Sequence, residues 1–199
     1  MTLEPIPCLI LACGNPLRED DGLGPWLATQ VAGQFPTDAR LRILAPQQWT
    51  PELAEEVARA QAILFVDCEA NATPGAIRLT PVEPAGEIPR MLSHQLSASD
   101  LLALSRDYYG TLPRTALLLS IGAGSLEMRE GFSSAVKSAL PDAENVLVGT
   151  ILRLLNAPPQ PATPRPASAA AENGSGHNPE DAAADSDAPS GGPQNAATV

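Results

Sequence analysis

Three short runs in this chain are apolar at every position or nearly so: Ile6-Pro7-Cys8-Leu9-Ile10-Leu11-Ala12, Ala62-Ile63-Leu64-Phe65-Val66 and Ala116-Leu117-Leu118-Leu119. None shows the apolar–polar alternation of a half-solvated strand. Runs of this length without alternation belong to strands covered on both faces, which is the condition of a parallel sheet. The stretches between them carry helical spacing. Leu23, Trp26, Leu27 and Val31 recur on one face of a helix running to about Phe35, with Pro25 tolerated in its first turn. Thr50-Pro51-Glu52 offers an N-cap hydroxyl, a proline at the first helical position and a first-turn acid, starting a helix over about Pro51 to Ala60. Leu41, Ile43 and Leu44 mark a second strand, and Gly75 to Leu79 a short one of edge character. Ser97-Ala98-Ser99-Asp100 has the form of a capping box opening a helix to about Arg106. The spacing predicts two further helices, Ser133 to Leu140 and Asp142 to Leu155. Strands alternating with helices define an α/β class: a three-layer sandwich in which a mostly parallel twisted sheet of about five strands is flanked by helices.

The run ends after Asn156. From Ala157 to Val199 there is no Leu, Ile, Met or aromatic residue, and Pro, Ala, Ser, Gly and Asp dominate. Such a segment buries too little apolar surface to offset its ordering entropy. The expected organisation is therefore one domain over 1–156 and a disordered tail over 157–199. The whole chain carries a formal charge of −11. Arg165 and five acidic residues give the tail a net −4, so the acidity is shared by the domain. That charge opposes nucleic-acid and anionic-membrane partners. The N-terminus lacks a basic leader, and no apolar run approaches the roughly 20 residues of a membrane helix. Three cysteines, Cys8, Cys13 and Cys68, lie in strand-like surroundings, as reduced thiols do. A monomeric cytoplasmic protein is expected.

The chemistry-bearing stretch is Cys13-Gly14-Asn15-Pro16-Leu17-Arg18-Glu19-Asp20-Asp21-Gly22-Leu23-Gly24, a strand-to-helix turn. Glycine-bearing turns in this position often cradle phosphates. Here three successive carboxylates repel an anion and favour a cation. One alternative is that Asp20 and Asp21 simply cap the following helix. Asp67 closes the most apolar strand in the chain, where parallel sheets place their ligands, and it lies beside the acidic turn if the first and third strands are neighbours. His94 is the one imidazole of the expected domain. Asp21, Asp67 and His94 together supply two hard oxygens and one nitrogen, three protein ligands with coordination positions left open. A turn cap for Asp67, a solvated charge for Glu69 and a structural role for His94 are the competing readings. Cys13 and Cys68 are soft ligands or a redox pair on one reading, and buried apolar fillers on the other. No Gly-x-Ser-x-Gly elbow, His-Glu-x-x-His helix or dinucleotide glycine spacing is present.

Gly14 to Gly24 resembles the Gly-Asn-x-Leu-x-x-Asp-(Asp/Glu)-Gly-x-Gly signature of the maturation endopeptidases of [NiFe] hydrogenases. Phe65-Val66-Asp67-Cys68-Glu69-Ala70 with Pro74-Gly75 resembles that family's second block, and Ser93-His94-Gln95-Leu96-Ser97 its third. The three blocks stand in the same order. The segment Gly122 to Glu127 departs from the pattern by lacking a Gln-Pro or Glu-Pro pair.

The resemblance implies a nickel-dependent aspartic or metal-assisted endopeptidase. It would remove the C-terminal extension from a nickel-loaded hydrogenase large-subunit precursor, with Asp21, Asp67 and His94 as catalytic, metal-contacting residues. The nickel would come with the substrate, with no tightly held cofactor in the enzyme. A non-catalytic nickel-binding maturation chaperone and an autonomous small metallopeptidase share the same donors.

Overall fold

A computed structural model describes residues 4–86 and 96–157. These residues fall within one compact unit, Met1–Arg165. Apart from Ala157, the expected tail lies outside the described residues, and so does His94.

Five strands form one sheet: β1 Ile6–Ala12, β2 Leu41–Leu44, β3 Ala60–Glu69, β4 Ile77–Pro81 and β5 Thr115–Gly122. Their spatial order is β2-β1-β3-β5-β4. All neighbours are parallel except β4, which runs antiparallel to β5 at one edge. Because side chains alternate across a strand, each fully apolar run divides between two cores. Leu9, Leu11, Ile63 and Phe65 face one side, where they meet Val57 of helix α2 (Ala54–Arg59) and Leu101 and Leu102 of helix α3 (Ala98–Leu104). Ile10, Leu64, Val66 and Ile121 face the other, against Leu27 and Val31 of helix α1 (Leu23–Gln34) and Val136, Leu147 and Ile151 of helix α4 (Ser134–Asn156). The architecture is the three-layer α/β sandwich that the sequence implies. Each fully buried Leu, Ile or Phe in these layers is worth about 1.5–3 kcal/mol over its exposed state.

Several elements differ in detail from expectation. The capping box at Ser97 is present, with Ser97 Oγ accepting from Asp100 N–H and Asp100 Oδ2 accepting from Ser97 N–H at 2.9 Å. Its helix changes to a single wide turn over Ser105–Tyr109 and stops at Gly110, whose φ of +66° is a left-handed conformation. β3 is longer than the apolar run, extending through Asp67 and Cys68 to Glu69. The two expected C-terminal helices are one. Pro141 lies inside α4, where proline removes one backbone hydrogen bond and ordinarily breaks the helix. Val136, Ala143, Leu147 and Ile151 keep a continuous buried seam across that point, and packing overrides the local preference.

The chain passes from β1 outward to β2 and then returns to the opposite side of β1 to form β3. The carboxyl ends of β1 and β3 therefore flank the point where the winding reverses, the place in open α/β sheets where crevices form. Among the described residues no helix is long and apolar enough to cross a membrane.

Candidate functional site

The acidic turn leaves β1 at Cys13 and folds back on itself. Gly14 has φ of +142°, and a Cβ there would stand 1.8 Å from the carbonyl oxygen of Asp21. Only glycine permits that approach. Asn15 organises the tip: its Oδ1 accepts from Leu17 N–H at 3.0 Å, and its own N–H donates to Asp21 Oδ2 at 3.0 Å. The asparagine of the motif thus makes the turn and also orients the aspartate six positions on. A Cβ at Gly24 would lie 2.2 Å from the carbonyl oxygen of Cys13, so the start of α1 is pressed against the end of β1.

The three acids of the turn have three destinations. None of them caps the short 3-10 turn Glu19–Gly22 or α1 through its side chain, so the capping alternative fails. Glu19, with φ of +48°, is buried and paired with Arg129, while its N–H donates to the Arg129 carbonyl at 2.7 Å. The Ser125 hydroxyl and the Arg129 guanidinium hold its carboxyl below the usual range. Asp20 is fully buried and accepts from Gly124 N–H at 2.7 Å, Ser125 N–H at 3.0 Å, Ser133 N–H at 2.7 Å and Ser133 Oγ at 2.7 Å. Burial works against ionisation, yet Ser133 and the backbone N–H groups outweigh it and hold Asp20 below the ordinary carboxylate range. Asp20 thereby fastens the β5–α4 loop to the turn. Asp21 is the half-buried member, accepting only from Asn15 among the described residues.

Asp67 stands near the carboxyl end of β3. Register places it across from Ser120 on β5, and on the other side Cys13 N–H continues the β1–β3 ladder with a 2.9 Å bond to the Val66 carbonyl. Asp67 Oδ1 accepts from Cys68 N–H at 2.8 Å and from Cys13 Sγ at 3.4 Å. Burial pushes its carboxyl up to about 6; these two donors oppose the shift, and the nearby charges of Asp21 and Glu69 add to it. Asp21 and Asp67 are thus close enough to feel one another, as the adjacency of β1 and β3 requires. Burial, with Asp20, Asp67 and Asp21 adding their charge, likewise pushes the Cys68 thiol up to about 12.

Sequence reasoning missed the neighbours of Asp67 on the outer strands. Glu69 lies on β3 and not in a loop, and its part-exposed side chain has partners: its Oε2 accepts from Ser120 Oγ at 3.0 Å, and its Oε1 lies 3.5 Å from Arg78 on β4. Together with Asp67 and Thr80 these residues line a cavity of about 420 Å³. The only signal for them in the chain is the two-residue alternation that puts Asp67 and Glu69 on one face.

Among the described residues no group of three or more His, Cys, Asp or Glu side chains is placed to hold a metal ion. The described part contributes Asp21 and Asp67, two hard oxygen donors at adjacent strand ends, and the expected third donor, His94, falls outside it. Paired carboxylates of this kind are suited to divalent charge.

A doubly covered, mostly parallel sheet with two carboxylates at its switch point defines the class: a three-layer α/β domain with an acidic carboxyl-edge site. No protein-family model and no curated protein sequence matches the chain. Solved structures with the same fold do. The hydrogenase maturating endopeptidase HybD from E. coli superposes with a TM-score of 0.58 at 20% identity, over 73% of this chain and 92% of that one. An endopeptidase from Escherichia coli, solved in solution, gives a TM-score of 0.58 at 24% identity over 73% and 91%. The [NiFe] hydrogenase maturation protease HycI from Thermococcus kodakarensis gives 0.54 at 19% over 75% and 92%. The described fold is the fold of these proteins.

Proposed function

We propose that this chain is the processing endopeptidase of a nickel-loaded [NiFe]-hydrogenase large-subunit precursor, and that it removes the precursor's C-terminal extension. The observation that carries the proposal is the convergence of Asp21 and Asp67 at the carboxyl ends of β1 and β3. It occurs in a fold shared with proteins named as maturation endopeptidases. The sequence blocks around Asp21, Asp67 and His94 support the same assignment.

In this proposal nickel is part of the substrate. Asp21 and Asp67 meet its charge with oxygen, and His94 adds a nitrogen. Cysteine thiolates of the precursor complete the coordination, a division that suits a borderline metal. The enzyme's residues then fix the precursor relative to the site and hold the scissile peptide bond in place, which by itself removes much of the entropic barrier to hydrolysis. Two neighbouring carboxylates repel one another without the cation, so the site favours loaded precursor over unloaded.

The test is incubation of the full chain with purified precursor, with and without nickel, followed by mass measurement of the large subunit. A nickel-dependent mass loss at the C-terminus supports the proposal. Binding of loaded precursor with its C-terminus intact would make the protein a non-catalytic chaperone. Cleavage of generic peptides by protein carrying stoichiometric metal would make it an autonomous metallopeptidase.

A further inference from the structure

Asp67 has two strand neighbours on its own face of the sheet. Ser120 on β5 gives its hydroxyl to Glu69 Oε2. Cys13, one residue past the end of β1, is fully buried and gives its thiol hydrogen to Asp67 Oδ1. Leu9, Leu11 and Cys13 share one face of β1 and its extension, Ile63, Phe65 and Asp67 share the same face of β3, and Leu11 is in register with Phe65. The pairing of Cys13 with Asp67 is therefore fixed by the ladder. The backbone of Cys13 has no freedom to move away: its N–H is bonded to Val66, and the close approach of Gly24 closes over its carbonyl. Cys68 N–H falls on the same oxygen of Asp67 as the thiol, and no described residue donates to Oδ2.

We propose that Cys13 is a positioning residue for Asp67: thiol and Cys68 N–H together occupy Oδ1, fix the carboxylate's rotation, and leave Oδ2 as the oxygen presented to substrate. This rests on the processing function proposed above. A thiol suits the task because it is a weak donor that steers an oxygen without neutralising it, and because its apolar body packs in the core. Partners that orient a metal-facing carboxylate typically change affinity or activity about 10–100-fold when removed.

Infrared spectroscopy of the full chain tests the contact directly. Cys13→Val identifies the Cys13 S–H stretching band among the three thiols, and Asp67→Asn should move that band to higher frequency as its acceptor weakens. In precursor processing, Cys13→Ala should lower kcat about tenfold with little change in KM. Cys13→Ser, which keeps a donor, should recover most of that loss. A Cys13 band unmoved by Asp67→Asn overturns the contact. Equal activity in Cys13→Ala and wild type, or no rescue by serine in a folded variant, overturns the positioning role. If wild type fails to process precursor at all, the proposed function falls, and the infrared band still decides whether Cys13 holds Asp67.

Discussion

Asp20 takes both donors of Ser133, the backbone N–H on Oδ1 and the hydroxyl on Oδ2, each at 2.7 Å and across 113 positions of sequence. Ser133 is also the N-cap of α4, where its Oγ accepts from Val136 N–H at 3.3 Å. One buried carboxylate thus links the site turn, the β5–α4 loop and the first turn of the longest helix.

Replacing Asp20 with Ala removes the buried acceptor shared by four donors on Gly124, Ser125 and Ser133. We expect a loss of about 3 kcal/mol of stability, measured by urea unfolding. The pH dependence has a definite sign. The folded-state pKa of Asp20 is depressed, so its contribution is present above the unfolded value near 3.8 and disappears as pH falls through the lower folded value. Asp20→Asn should flatten the decline of stability below about pH 4.

Asp67 behaves in the opposite sense. Its carboxyl is raised from 3.8 to about 6, so the folded state holds the proton more tightly, and the cost of ionisation grows between those values and is complete above the upper one. Asp67→Asn keeps an acceptor for Cys68 N–H and removes that cost. It should raise stability at pH 7 by about 1 kcal/mol, since some solvent still reaches this mostly buried group, while abolishing precursor processing. Thermal unfolding and the cleavage assay measure the two effects separately.

Asp21→Ala should abolish processing with little effect on the melting temperature, because the side chain accepts only from Asn15 among the described residues. Processing at the normal rate by this variant would remove Asp21 from the site.

Gly14→Ala places a Cβ 1.8 Å from a backbone oxygen at φ of +142°. We expect destabilisation of at least about 3 kcal/mol, or failure to fold, with the turn the first part to lose amide-exchange protection.

Pro141 gives a prediction of gain. Alanine at this interior helical position can restore a backbone donor to α4 without disturbing the buried seam, and should raise stability by about 1 kcal/mol in thermal unfolding.

The sequence by itself determined the sandwich, because strands buried on both faces and helices with one apolar stripe admit few arrangements. It also marked Asp21 and Asp67, since a charge at the end of a buried strand and a run of acids in a glycine-bearing turn are local anomalies. His94 stands out in the sequence as the one imidazole of the expected domain, and its place lies outside the described residues. Local patterns failed where the deciding contact is distant. Pro141 reads as a helix break, yet Val136, Ala143, Leu147 and Ile151 find a sheet to pack against and hold one helix together. Asp20 and Asp21 look alike as neighbours in a row. Only the tertiary structure separates them, by folding the β5–α4 loop against the turn so that Asp20 is held by four donors and Asp21 is left part-exposed. The same holds for Cys13 and Glu69, whose partners on β3, β4 and β5 are set by strand order and register, quantities that no single strand carries.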